Sequence, residues 1–270
     1  MLGAIIGDIV GSRFEWHNIK SKEFEFLTYK CSPTDDSIMT LALAQAILVS
    51  KPDYSDLSQN AVECMQRVGR NYPDCGYGGK FRRWMFSSNP QPYNSFGNGA
   101  AMRVSPAGFA ATSLEEAKVL ARKVTEVTHN HPEGLKGAEA TAAAIYMART
   151  GSSILEIRDY IDRNYYPMNF TLDGIRKDYR FDVTCQGSVP QALMAFFEST
   201  GFEDAIRNAI SIGGDSDTIA CMAGAIAEAY YGMPEEFCEE VKKRLDLNTR
   251  RIVEVFENQR IPRQERDHKE

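Results

Sequence analysis

Apolar residues recur at three- and four-residue spacing along almost the whole chain, and runs that alternate in twos are nearly missing. A period of 3.6 buries one stripe of a helix, whereas a half-buried strand needs a period of two. The pattern therefore predicts an all-α fold built by packing helix on helix. Segments 38–49, 57–68, 114–127, 137–148, 154–161, 190–197, 202–210 and 219–231 carry it. Ser113 with Glu116 and Ser153 with Glu156 fit the capping box, and Ser188 ahead of Pro190 fits a first turn. Gly151, Gly201 and Gly232 stand where helices should stop. Stretches 69–95 and 164–187 resist helix assignment and read as long loops, a feature more often tied to function than to packing. The expected layout is one compact domain over residues 1–262 with a polar tail over 263–270.

A chain of 270 residues buries about three quarters of its unfolded surface, so neither disulfide nor partner subunit is needed and a monomer is expected. Net charge is −6, with 31 Lys plus Arg against 37 Asp plus Glu, which argues against nucleic acid as the main partner. The six cysteines form no C-x-x-C pair and read as reduced thiols. Asp8 interrupts the apolar N-terminal run, which fails as a signal peptide, and the longest apolar stretch, 219–231, contains Glu228 and is too short for a bilayer. These features point to a cytoplasmic protein with no membrane partner.

Two acidic clusters precede small-residue helices: Thr34-Asp35-Asp36 ahead of Ile38, and Asp215-Ser216-Asp217-Thr218 ahead of Ile219. Helix capping explains one Asp at each start. Two carboxylates at one start repel each other, so a cation is the competing explanation, and oxygen donors without cysteine select Mg²⁺ or Mn²⁺ over zinc. Gly97-Asn98-Gly99-Ala100 is a glycine-rich turn that either presents backbone N–H groups to a phosphate or simply turns the chain. His129 and His131 lack a further ligand at zinc spacing. Glu15 by itself is an ordinary acid.

Taken together, GDIVGSRFEW at 7–16, TDDS at 34–37, GYGGKF at 76–81, FGNGAAMRVSP at 96–106, THNHPEG at 128–134, VPQAL at 189–193 and GGDSDTIACMAGAIAEAYYG at 213–232 resemble the ADP-ribosylglycohydrolase family. The resemblance spans residues 3–232. It implies a binuclear Mg²⁺ or Mn²⁺ site held by Thr34, Asp35, Asp36, Asp215, Asp217 and Thr218, with Ser216 as a spacer. It implies further that Glu15, Asp35 and Asp217 take part in catalysis, Glu15 by activating water or holding the ribose. Gly97, Asn98, Gly99 and Ala100 match the loop that wraps the substrate diphosphate, with Ser95 and Phe96 at its rim, and His129 closes one side of the ribose pocket.

The activity so implied is hydrolysis of the glycosidic bond between ADP-ribose and a protein side chain, with an ADP-ribosylated protein as substrate and ADP-ribose as product. THNHPEG resembles arginine-directed members. Ser95 departs from them, standing near where an acid assists arginine recognition, and leaves Asp74 of the 69–95 loop as a substitute. Hydrolysis of serine or other linkages, or ADP-ribose binding without turnover, are the alternatives. A phosphohydrolase would need further carboxylates at helical spacing after Asp36, and the sequence has none there.

Overall fold

The computed structural model describes residues 1–260; the expected boundary at 262 and the tail lie outside them. Among the described residues there are fourteen α-helices and no sheet. They are α1 (Leu2–Gly11), α2 (Asp35–Val49), α3 (Leu57–Asn71), α4 (Gly79–Phe86), α5 (Ser105–Ala110), α6 (Leu114–Thr125) and α7 (Pro132–Arg149). There follow α8 (Ile154–Asn164), α9 (Leu172–Arg176), α10 (Cys185–Phe197), α11 (Phe202–Ser211), α12 (Ser216–Tyr231), α13 (Glu235–Arg244) and α14 (Leu247–Arg260). A single 3-10 turn covers Asn98–Ala100, and one isolated bridge pairs Gly97 with Thr184.

Helices α1, α2, α7, α10 and α12 form the centre. Every residue of α1 is buried, as are thirteen of the sixteen in α12. A helix that is apolar all round must be enclosed on all sides, and α12 is, by α1, α7, α10 and α11. The outer helices are amphipathic instead. Helix α3 buries Leu57, Ala61, Cys64, Met65 and Val68 on one face and leaves its charged residues outward.

Glycine sets the closest crossing. A Cβ added to Gly3, Gly7 or Gly11 would lie 2.3 Å from the Gly224 carbonyl oxygen, 2.1 Å from that of Ala220 and 2.5 Å from the Asp217 Cα, respectively. These three glycines repeat every fourth residue and so share one face of α1. Their lack of side chains lets the backbones of α1 and α12 touch, which brings Asp8 and Asp217 into one neighbourhood.

The structure departs from the sequence expectations in four places. The two supposed loops contain α4 and α9. Helix α10 starts at Cys185 with Thr184 as its cap, so Pro190 lies inside the helix instead of opening it. Gly201 starts α11. Ser113 accepts from the Glu116 N–H, but the Glu116 carboxylate turns to Thr112 N and Oγ1, both 2.6 Å away, so the box is complete only at Ser153 and Glu156. All six cysteines are free thiols, and no helix of the described residues is long and apolar enough to cross a membrane.

Candidate active site

The starts of α2 and α12 and the interior of α1 converge on one cavity of about 410 Å³. Thr34 caps α2 by accepting from Asp36 N at 3.3 Å, whereas Asp215 at the cap position of α12 makes no side-chain capping bond. The cluster carboxylates are therefore not consumed by helix capping. Asp8, Asp36 and Asp217 bring carboxylate oxygens within 4.8 Å of one another, and so do Glu15, Asp215 and Asp217, giving two groups that share Asp217.

Asp8 is fully buried, and both its oxygens are engaged. It accepts from Thr34 Oγ1 at 2.6 Å, Thr34 N at 2.9 Å, Ser37 N at 3.0 Å and the Ser37 hydroxyl. It acts as a strut from α1 that holds the first turn of α2. Asp36 differs: its Oδ2 accepts from Thr218 Oγ1 at 3.3 Å and lies 3.4 Å from Thr34 Oγ1, whose proton goes to Asp8, while its buried Oδ1 has no partner. Asp215 Oδ2 accepts from Asn98 Nδ2 at 2.6 Å, which ties the glycine-rich loop to the acidic cluster.

None of the ion pairs among the described residues engages Asp8, Asp35, Asp36, Asp215 or Asp217. Burial, followed by repulsion from Asp8 and Asp215, pushes the Asp35 carboxyl up to about 8. Burial and neighbouring carboxylates hold Asp36 and Asp217 well above the ordinary range, and burial followed by the charges of Asp215 and Asp8 raises Glu15 to about 7. Crowded anions with no counter-charge and an orphaned carboxylate oxygen suit a hard divalent cation, which would reverse these shifts.

Glu15, Asp35, Asp36, Ser95, Gly97, Asn98, Gly99, His129, Asp215, Asp217 and Thr218 all line the cavity. Three expected residues do not. Thr34 directs its hydroxyl to Asp8, Ala100 is buried behind the loop, and Phe96 is 42% exposed with its ring against His131. Asp74 is exposed and is not among the residues that line the cavity, whereas Glu15 is.

The glycine-rich turn also differs from a nest of free donors. Gly97 N bonds Ser95 Oγ, Asn98 N bonds the Val183 carbonyl and Ala100 N bonds the Gly97 carbonyl, leaving at most the Gly99 N–H for a ligand. His131 is the cap of α7, while His129 lines the cavity, so the two do not act as a metal pair. Sequence reasoning missed Asp8, Trp16, Tyr93, Arg103 and Phe181. Asp8 and Arg103 were detectable as lone charges flanked by apolar residues.

The family model described as ADP-ribosylglycohydrolase matches residues 1–263. The chain belongs to the ADP-ribosylglycohydrolase family. Human ADP-ribosylhydrolase ARH3 is 27% identical, with 95% of this chain and 92% of the relative covered. ADP-ribosylarginine hydrolase Tri1 of Pseudomonas putida (strain GB-1) is 28% identical, covering 89% of this chain and 72% of the relative. A solved structure titled ADP-ribosylglycohydrolase-related protein complex aligns with a TM-score of 0.69 at 23% identity over 95% of this chain and 96% of that one. That likeness shows that this member of the family shares the all-α fold.

Proposed function

We propose that the protein is a divalent-metal-dependent hydrolase that releases ADP-ribose from a modified protein side chain, most readily arginine. The observation that carries this reading is the set of uncompensated carboxylates in a cavity that the Gly97–Gly99 loop and His129 also line. Asp36, Asp215, Asp217 and Thr218 are the residues that would hold the cations, with Asp35 beside them and Asp8 and Thr34 fixing their frame. Mg²⁺ or Mn²⁺ bound there supplies Lewis-acid charge and eases deprotonation of water.

The chain's own residues do the rest. Cleavage at the ribose anomeric carbon develops oxocarbenium character, so the sugar must be held while water is delivered and the leaving group departs. Asn98, bonded to Asp215, keeps the loop at a fixed distance from the acidic floor. Glu15 lines the cavity, half-buried and grouped with Asp215 and Asp217, where its carboxylate takes the proton from water or holds the ribose. His129, which the resemblance sets beside the ribose, turns Nε2 toward Gly99 and Gly97, so that with the Gly99 N–H it would face the ligand's diphosphate. The arginine preference rests on THNHPEG and on the likeness to a relative named ADP-ribosylarginine hydrolase.

The test is a panel of ADP-ribosylated arginine, serine and ester conjugates, assayed for released ADP-ribose with Mg²⁺ and with chelator. Arginine-linked substrate is expected to turn over fastest, and only with metal. Binding of ADP-ribose without turnover of any conjugate would refute the enzyme reading.

A further inference from the structure

Arg103 carries a charge into the core with 1% exposure, and none of the ion pairs among the described residues reaches it. Its Nη2 donates to Thr128 Oγ1 at 2.5 Å and stands 3.3 Å from His129 Nδ1. The guanidinium carbon lies 5.4 Å from the centre of the Phe81 ring, and Nε has no partner. Burying a guanidinium without a carboxylate works against stability, so packing alone does not account for it. It also lines the cavity.

The chemistry of the two groups fixes a proton. Guanidinium nitrogens only donate, so the imidazole nitrogen that faces Arg103 must be the acceptor. The Thr128 hydroxyl, which accepts from Arg103, sits 2.8 Å from the same Nδ1, closer than the Thr125 carbonyl at 3.3 Å that is the other acceptor for its proton. A neutral imidazole whose Nδ1 accepts carries its proton on Nε2. That nitrogen looks toward the glycine-rich loop: Cβ atoms added to Gly99 and Gly97 would lie 3.4 and 3.6 Å from it.

We propose that Arg103 is a positioning residue that, directly and through Thr128, locks His129 in the Nε2–H form and so presents a fixed, uncharged donor to the diphosphate of the ligand. The ligand's identity rests on the function proposed above. The loop's own N–H groups are mostly taken by Ser95, Val183 and Gly97, so a side-chain donor here fills a need that the backbone leaves open. Burial, then the Arg103 charge, keeps His129 well below its ordinary value, so the ring stays neutral. The Tyr93 ring, 5.7 Å from that of His129, is uncharged with its phenol pushed up to about 12, and burial likewise keeps the Cys185 thiol protonated. Asp35 is the acid whose field reaches Arg103, which burial lowers only to about 10 and so leaves a cation.

The chain has four histidines, so long-range ¹H–¹⁵N correlation spectra of the whole protein can resolve each ring. His129 is expected as a neutral Nε2–H ring from pH 6 to 8; an Nδ1–H or protonated ring overturns the proposal. Arg103→Met should admit the second tautomer and weaken ADP-ribose binding roughly ten- to hundredfold by calorimetry, the scale of one hydrogen bond to a charged group. Thr128→Val, which keeps the guanidinium, should move both readouts the same way by less and serves if the first variant does not fold. An unchanged tautomer and affinity in the folded variants would overturn the proposal. Wild-type protein that fails to bind ADP-ribose would refute the proposed function instead, and the wild-type tautomer would still decide the role of Arg103.

Discussion

Gly7→Ala adds one methyl group at the point where α1 and α12 touch. The new Cβ would sit 2.1 Å from the Ala220 carbonyl oxygen and 2.6 Å from its carbon, against about 3.5 Å for comfortable contact. Both obstructing atoms are backbone, so no rotamer change relieves them, and the helices must part by roughly 1 Å. Overpacking of this kind costs about 1–3 kcal/mol and sometimes more, while replacing glycine by alanine inside a helix returns about 1 kcal/mol. With rigid atoms on both sides, a net loss of about 2 kcal/mol is expected, or roughly 4–8 °C in melting temperature for a chain of this size. Gly79→Ala at the first residue of α4 is the control, since its Cβ meets nothing within 4 Å. It should stabilise by about 0.4–1 kcal/mol. Thermal melts of the two variants beside wild type make the comparison. Gly7→Ala melting at or above wild type would refute the claim that backbone contact sets the α1–α12 spacing.

Mg²⁺ at a hundredfold excess over Kd should stabilise the wild type by about 2.7 kcal/mol and raise its melting temperature, and Asp36→Asn should abolish that rise; a retained rise would remove Asp36 from the ligand set. Glu15→Gln should lower kcat by roughly two to four powers of ten while ADP-ribose affinity survives, and a loss under about tenfold in single-turnover assays would make Glu15 a bystander. Gly99→Val should weaken ADP-ribose binding in calorimetry, because even its Cβ would lie 3.4 Å from His129 Nε2 and the branches beyond it fill the ligand's place. In chelator, stability should fall as pH rises. The Asp35 carboxyl moves from 3.8 to about 8 on folding, so its favourable contribution is complete below about 4 and is lost as pH climbs through 8. A metal-free melting temperature that rises between pH 5.5 and 8.5 would contradict this.

The helical class was legible because periodicity reports burial of one face, and α3, α6 and α11 show it strongly, while α2 and α12 read as helices from apolar and small residues on nearly every side. Helices α13 and α14 escaped because their charged residues dilute the apolar stripe, which in α13 comes down to Phe237 and Val241. Pro190 pointed to a helix start, but α10 continues through it from Thr184, since tertiary contacts outweigh a local preference. Both acidic clusters were visible as adjacent carboxylates. Asp8 stood out only as a lone charge in an apolar run, and its role was not legible, because its partners Thr34 and Ser37 lie 26 and 29 residues away and only the fold joins them. Arg103 likewise showed only as a lone charge, since its significance lies in direct contacts with Thr128 and His129, 25 and 26 residues along the chain.

The α1–α12 contact also bears on how the chain is made. Helix α1 is translated well before α12, and the surface it needs follows roughly 200 residues later, which at about 5–20 residues per second is a delay of roughly 10–40 s. During that interval LGAIIGDIVG, buried at every position in the finished fold, has no α12 to cover its glycine face. Closing so long a loop is slow, and exposed apolar helix invites wrong partners meanwhile. Nascent chains stopped before Ser216 should therefore be held by chaperones or lost to aggregation, and emergence of α12 should mark the moment when α1 becomes protected.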